Sequence, residues 1–73
     1  MGKNTTLDLH GVRHHEVDRL VENFIFMNQD LLPLKIICGN SQVMIDLVFT
    51  VIKRHKITVA SMDHYGVVDI YKL

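Results

Sequence analysis

Two residues that can exchange protons lie close together near the start of the chain. The segment Leu7-Asp8-Leu9-His10-Gly11 places a carboxylate two positions before an imidazole. Residues two apart on a β-strand point to the same face, so Asp8 can orient the His10 ring and stabilise its charged form. Such a histidine can act as a general acid or base. Asp8 and His10 are therefore the candidate catalytic residues.

A glycine turn later in the chain can hold an anion. Gly39, Asn40 and Ser41 follow a short apolar segment and precede a helical pattern. Unpaired main-chain N–H groups and the positive end of the helix dipole attract phosphate at a helix N-terminus. A carboxylate–imidazole pair beside such a turn suits chemistry at a phosphodiester. The simpler role of the same turn is a strand-to-helix connection with a cap.

The remaining histidines and the cysteine favour structural roles. Cys38 ends an apolar run, which is typical of a small core residue rather than a nucleophile. An isolated Asp-x-His pair is also more often structural than catalytic. A zinc site lacks support because the chain has no Cys-x-x-Cys or His-Glu-x-x-His spacing. We therefore expect no metal and no cofactor, although ligand types are present at His10, His14, His15, Cys38 and His64.

Positive charge is concentrated at two places. Arg13 follows the first motif, and Lys53-Arg54-His55-Lys56 ends a helical pattern, where basic residues complement the helix dipole. Arg13 can supply charge beside the motif, and Lys53, Arg54 and Lys56 can contact a nucleic-acid backbone further away. Helix capping is the simpler role of the cluster.

Composition describes a small folded domain. The 73 residues are 48% hydrophobic, and eight basic side chains balance eight acidic ones. This excludes intrinsic disorder and argues against strong non-specific binding to polyanions. A single cysteine forms no disulfide within one chain, which favours a reducing compartment. No apolar run approaches the ~18 residues of a membrane span, and the first residues lack a secretory signal, so we expect a cytoplasmic protein that contacts no membrane.

The elements that position these residues form a β-α-β-α-β-β string. Periodicity predicts strands at 6–10, 34–38, 57–62 and 67–71, a hairpin loop at 63–66, and helices that stop before Pro33 and at 53–56. Connections through helices make the first three strands parallel and the fourth antiparallel. We expect a flexible segment at 1–5 and one domain at 6–73, of the α/β class: an α+β two-layer sandwich with two helices on one face of a mixed four-stranded sheet.

This arrangement brings the two motifs to the same edge of the sheet. Ligands of open α/β sheets bind beyond the carboxyl ends of parallel strands. Gly11 follows the first strand and Gly39 follows the second. We therefore predict that both glycines help to bind phosphate, together with Asn40, Ser41 and Arg13.

The sheet face without helices suggests a different role. Alternation places Ile37 on it, where Val67, Asp69 and Tyr71 can join it. Such a surface could pair with a second copy, giving a homodimer, or with a larger protein. The chain would then be a non-catalytic interaction module.

The motifs and the element string together resemble the Smr (small MutS-related) domain family. Residues 7–11 look like its L-D-x-H-G signature, and 38–41 stand where the family has H-G-x-G or T-G-x-G. Residues 65–71 are similar to its Gly-rich turn and final strand. The resemblance spans about residues 6 to 73.

The resemblance implies a fold like the C-terminal domain of translation initiation factor three, with the last strand between the second and third. It also implies binding of RNA or DNA and, in many members, endonuclease cleavage. Asp8 and His10 carry over as the catalytic or substrate-contacting pair, and Gly39 as the turn that approaches phosphate.

This chain departs from the family pattern at three positions. Cys38 replaces a His or Thr, Ser41 replaces a glycine whose missing Cβ would admit the substrate, and Arg13 replaces a helix-capping Thr. Three functions therefore remain open: an endonuclease, a nucleic-acid-binding or protein-interaction module without catalysis, and a domain that binds a nucleotide or small phosphate.

Overall fold

The computed structural model describes residues 5–57 and 59–72. Its element order confirms the predicted β-α-β-α-β-β string. The elements are β1 (Thr6–Asp8), α1 (His14–Met27), β2 (Leu34–Ile37), α2 (Gln42–Arg54), β3 (Val59–His64) and β4 (Val67–Lys72). Residues 1–4, which make up most of the segment predicted to be flexible, lie outside the described residues.

The four strands form one mixed sheet in the order β1-β2-β4-β3. β1 and β2 are parallel, and β4 runs antiparallel to both of its neighbours, β2 and β3. β3 therefore points the same way as β1 and β2, as the helical connections predict. The position of β4 between β2 and β3 is the strand order that we expected.

The core lies between the sheet and the two helices, which confirms the α+β two-layer sandwich. Alternate residues of the inner strands are buried, namely Leu34 and Ile36 on β2 and Val68 and Ile70 on β4. One apolar face of each helix packs against them, because the apolar residues recur at helical spacing. These helix residues are Val17, Val21, Phe24, Ile25, Met44, Ile45, Val48, Val51 and Ile52.

Helix α1 ends at Met27, several residues before Pro33 would force it to stop. The reason lies at Asn28, the C-cap residue, whose φ of −126° departs from helical geometry. Its buried side-chain amide donates a hydrogen bond of 2.8 Å to the carbonyl oxygen of Phe24. This bond gives a helix-terminal carbonyl a partner and leaves the buried amide satisfied.

Helix α2 is capped at both ends. Of the two residues that could cap this helix, Asn40 and Ser41, Ser41 is the N-cap, and its Oγ accepts a hydrogen bond of 3.2 Å from the Met44 N–H. At the other end Lys56 adopts a left-handed φ of 58°. The N–H groups of Lys56 and Ile57 donate to the carbonyl oxygens of Lys53 and Ile52, which is the Schellman pattern.

The predicted boundaries of all four strands are wrong by one or two residues, and β4 ends at Lys72 rather than at Tyr71. β1 ends at Asp8 rather than at His10, and β2 ends at Ile37 rather than at residue 38. β3 continues to His64, so the hairpin turn is Tyr65-Gly66 instead of a four-residue loop. Asp63 and His64 extend the strand because the turn needs only two residues, one of them a glycine with positive φ.

The sheet face opposite the helices has the residues that alternation predicts. Ile37 lies opposite Val67, and Lys35 lies opposite Asp69. Ile37 and Val67 are half-buried, whereas Lys35 is exposed. A charged pair thus crosses this face next to its apolar part.

Neither described helix has the length and apolar character needed to cross a lipid bilayer.

Candidate functional site

A tight turn presents His10 at the end of β1. The Val12 N–H donates a hydrogen bond of 3.0 Å to the Leu9 carbonyl oxygen, with His10 and Gly11 at the two central positions. Gly11 has a φ of +77°, the geometry that the third residue of a type II turn requires. His10 is exposed at the corner of this turn.

Asp8 holds this turn through its main chain. The Asp8 Oδ1 accepts a hydrogen bond of 2.9 Å from the His10 main-chain N–H. We expected the carboxylate to orient the imidazole from the same strand face, but β1 ends at Asp8 and His10 already belongs to the turn. Within the described residues no hydrogen bond joins the His10 ring to Asp8. Asp8 therefore fixes the backbone that carries His10, and the ring faces solvent.

The second turn leaves main-chain N–H groups available at the neighbouring strand end. Gly39 has a φ of +75°, and nothing lies within 4 Å of where its Cβ would be. In the described part of the chain no main-chain acceptor pairs with the N–H groups of Gly39, Asn40 or Ser41. This turn thus has free space beside Gly39 and three main-chain N–H groups without a main-chain acceptor among the described residues.

Two further N–H groups extend this set into α2. Gln42 and Val43 occupy the first turn of the helix, where main-chain N–H groups have no partner inside the helix. The next N–H group, that of Met44, is taken by the Ser41 Oγ. The Ser41 hydroxyl accepts this bond and keeps its own hydrogen to donate.

The register of the sheet brings the two turns together. Asp8 lies opposite Ile37, and the Leu9 N–H donates a hydrogen bond of 2.9 Å to the Ile37 carbonyl oxygen. The His10 turn and the Gly39 turn therefore leave adjacent strands at the same edge. Across the next two strands, Ile37 pairs with Val67 of β4, and Val67 pairs with His64 of β3, so these paired residues form one row across the sheet. His64 lies three strand spacings from Asp8, about 14 Å, too far for the two to share one reacting atom.

The β3–β4 hairpin closes this edge against the Gly39 turn. The Cys38 N–H donates a hydrogen bond of 2.6 Å to the Gly66 carbonyl oxygen. Next to Gly66, the Tyr65 hydroxyl donates to the Gln42 Oε1 at 3.3 Å, so this side chain reaches the first residue of α2. Sequence reasoning placed neither Tyr65 nor Gly66 at the site. The available signal was the Tyr65-Gly66 pair preceding the last strand.

Arg13 contributes the fixed positive charge of this edge. It is the N-cap residue of α1, it is exposed, and its side chain makes no capping hydrogen bond. His14 and His15 follow in the first helical turn and are also exposed. The helix start thus carries one guanidinium where a capping hydroxyl or carboxylate is usual.

The second basic cluster lies far from this edge. Lys53, Arg54 and Lys56 lie at the C-terminal end of α2, about 18–20 Å along the helix from Ser41. Arg54 forms ion pairs with Asp18 and Glu22 of α1. The hydrogen bond from Arg54 lowers the pKa of Asp18 and raises that of Arg54. This guanidinium therefore joins the two helices. Because of its distance from Ser41, the cluster is not part of the predicted site at the sheet edge.

A separate pocket of about 190 Å³ lies near the same distant ends of the helices. His55 and Glu22 form a hydrogen bond of 2.9 Å on its wall, and the edge of the Phe26 ring meets the His55 ring with 5.5 Å between their centres. The side chains of His55 and Glu22 are thus engaged with each other.

Cys38 is a core residue, as predicted. Its side chain is only 4% exposed, and burial raises the pKa of its thiol to about 11. The thiol is therefore protonated at neutral pH, which suits packing and not nucleophilic attack. No three His, Cys, Asp or Glu side chains of residues 5–57 and 59–72 converge in a way that could hold a metal ion.

Comparisons with protein-family models, with curated proteins and with solved structures found no match for this chain. The resemblance to Smr domains therefore rests on the motif residues, of which Asp8, His10 and Gly39 lie at one edge of the sheet.

Proposed function

We propose that this chain is a nucleic-acid-binding domain of the Smr type, whose site is the edge formed by the His10 turn, the Gly39 turn and the β3–β4 hairpin. The observation that carries the proposal is the pairing of Asp8 with Ile37 and of Ile37 with Val67. This row sets three separate chain segments, each bearing groups suited to a nucleotide, side by side. A cytoplasmic location is part of the same proposal.

The N–H groups of the second turn and of the α2 N-terminus bind phosphate oxygens. Gly39, Asn40 and Ser41 approach the ligand from the turn, and open space at Gly39 lets the backbone come close to it. Arg13 adds a charged contact from the adjacent helix start, and Gly11 lets the intervening turn form. Because these contacts fix the backbone and not the bases, RNA and DNA can both bind.

The charge distribution sets a modest affinity. Arg13 is the arginine nearest this edge, whereas Arg54 is paired with acidic side chains of α1. A site with so few cations releases few counterions, so affinity falls only gently with salt, with a slope corresponding to about one or two phosphates. This agrees with the balance of acidic and basic residues in the whole chain.

Cleavage of the phosphodiester backbone is the second candidate activity, and the exposed His10 ring favours it. His10 accepts a proton from the attacking oxygen or donates one to the leaving oxygen, beside the amides that hold the phosphate. Asp8 positions the histidine by fixing its main-chain N–H. The scheme uses only side chains and amides of the described edge.

The experiment compares the wild-type protein with His10→Ala on labelled single-stranded RNA and on supercoiled DNA. Cleavage by the wild type that disappears in His10→Ala supports catalysis. His55→Gln is the matched control because His55 lies at the opposite end of the helices, paired with Glu22. Binding by both proteins without cleavage leaves the binding function and removes the catalytic one. Equal cleavage by wild type and His10→Ala contradicts the role of His10.

A non-catalytic interaction module remains the alternative, and the half-buried Ile37 and Val67 on the open sheet face favour it. Lys35 and Asp69 lie beside them, which limits the continuous apolar area. Sedimentation distinguishes self-association from the proposal, because a homodimer through this face gives a mass that rises with concentration. A larger protein partner would leave the isolated chain monomeric.

The third alternative, a nucleotide or small phosphate at the Gly39 turn, predicts binding of a mononucleotide as tight as that of an oligonucleotide.

A further inference from the structure

We propose that Tyr65 stacks on a nucleobase, so that the ligand of this edge is an unpaired nucleotide of a single strand. The inference rests on the proposed nucleic-acid-binding function and deepens it, because it selects single strands over duplexes. It assigns the base-binding role to a residue outside the motifs that position the phosphate.

Tyr65 is held in place by both its backbone and its side chain. The adjacent Gly66 accepts the hydrogen bond of 2.6 Å from the Cys38 N–H, which ties the hairpin to the Gly39 turn. The Tyr65 hydroxyl donates a hydrogen bond to the Oε1 of Gln42, and Gln42 belongs to the first turn of α2. These two attachments hold the ring at the N-terminus of α2, next to the candidate phosphate site.

The ring is exposed despite these attachments. Tyr65 is 57% exposed. Its hydroxyl already has a hydrogen-bond partner in Gln42, so the need to hydrogen-bond water does not explain this exposure. A fixed, solvent-exposed aromatic ring is the platform on which proteins stack unpaired bases. Phe26 is as exposed, at 58%, but it lies at the far end of α1 beside His55. Of these two rings, Tyr65 is the one next to the anion-binding amides.

The arrangement matches the chemistry of one nucleotide. Phosphate oxygens meet the N–H groups of Gly39 to Val43, and the base lies on the ring that contacts Gln42 from the hairpin. A base inside a duplex has both faces covered by its neighbours, so a duplex of the same length offers Tyr65 a free face only at its two ends. The site therefore prefers single strands, and it tolerates any base because every base has a π-face.

The experiment measures the affinity of the whole protein for three octanucleotide probes at low salt. The probes are a thymidine single strand, an abasic single strand with the same phosphates, and a duplex. For the wild type we expect the thymidine strand to bind about 5- to 100-fold more tightly than either other probe. Tyr65→Ala should lose this preference and bind the thymidine and abasic strands equally, whereas Tyr65→Phe should keep most of it.

Tyr71→Ala is the matched control. Tyr71 is 46% exposed, but it lies on β4 four residues beyond the hairpin end of that strand, about 13 Å from the site. It should therefore keep the wild-type preference. The chain has two tyrosines and no tryptophan, so in Tyr71→Phe the tyrosine fluorescence comes from Tyr65 alone. Quenching of that signal by the thymidine strand and not by the abasic strand reports stacking without any change at Tyr65.

The outcomes separate this inference from the proposed function. Equal affinity of the wild type for the thymidine and abasic strands overturns stacking and leaves phosphate binding in place. An unchanged preference in Tyr65→Ala also overturns it. Absence of binding to all three probes contradicts the proposed function, and the inference falls with it.

Discussion

Gly66 lies so close to Gly39 that a Cβ on Gly66 would be 2.2 Å from the Gly39 carbonyl oxygen. This contact joins the β3–β4 hairpin to the turn before α2, two segments that are 27 residues apart in the chain. Only glycine allows it, both because of the space and because Gly66 has a φ of +84°. The geometry of the candidate site therefore depends on a residue that has no side chain.

Gly66→Ala should destabilise the protein strongly. The new methyl group must displace backbone atoms of Gly39, and the left-handed φ adds about 1–2 kcal/mol, so we expect a total loss of about 2–4 kcal/mol in the free energy of unfolding. Urea denaturation measures it. Gly11→Ala is the control, since Gly11 also has a positive φ but has open space around it. Equal losses in the two variants would mean that the contact with Gly39 is unimportant.

Arg13→Ser should stabilise the protein and weaken its binding to oligonucleotides. A serine at the N-cap of α1 can accept a hydrogen bond from a main-chain N–H of the first turn, which Arg13 does not do. We expect the free energy of unfolding to rise by about 1 kcal/mol and oligonucleotide affinity to fall several-fold, with the salt slope smaller by about one. Denaturation and a salt titration of binding measure the two effects. A more stable variant with wild-type affinity would remove Arg13 from the proposed site.

Lys56→Gly should stabilise the protein without affecting binding. Lys56 has a φ of 58° in the Schellman turn that ends α2, a position where glycine avoids the steric cost of a side chain. The expected gain is about 1 kcal/mol in the free energy of unfolding, measured by thermal or urea denaturation. Lost oligonucleotide affinity would instead support the sequence-based prediction that Lys56 contacts the backbone.

Stability should fall between pH 9 and 11 because of Cys38. The folded state raises the pKa of the thiol from about 9.0 to about 11, so the unfolded chain ionises first. The resulting stabilisation is complete below pH 9 and is lost as the pH rises toward 11. Cys38→Ala should show a shallower fall in its urea midpoint over this range, because other groups titrate equally in both proteins. Parallel curves would mean that the thiol has the same pKa in both states.

The general fold follows from local patterns, whereas the ends of its elements depend on distant contacts. Alternating and helical apolar spacing predict the six elements, and helical connections predict the parallel strands. The ends differ at β1, where Asp8 accepts from the His10 N–H, and at α1, where Asn28 bonds to Phe24. The hairpin differs because its turn needs only two residues, and the close packing of Gly66 on Gly39 is a distant contact that the local sequence pattern does not reveal.

The candidate site, like the fold, depends partly on local sequence patterns and partly on contacts between residues that are distant in the chain. Asp8, His10 and Gly39 lie at one edge because adjacent parallel strands end there, which the element order predicts. The pairing of Arg54 with Asp18 joins residues 36 positions apart, and the charge cluster alone does not reveal it. Tyr65 was missed for the same reason, since its role depends on a contact with Gln42 across 23 positions.

Main-chain amide chemical shifts, recorded while a thymidine octanucleotide is added at low salt, test directly whether nucleic acid binds at this edge of the sheet. Binding at the proposed edge shifts the N–H signals of His10, Gly11, Tyr65 and the segment 39–43, and leaves those of 53–56 unchanged. Unchanged signals at 39–43 with shifts concentrated at 53–56, or no shifts at all, would contradict binding at this edge.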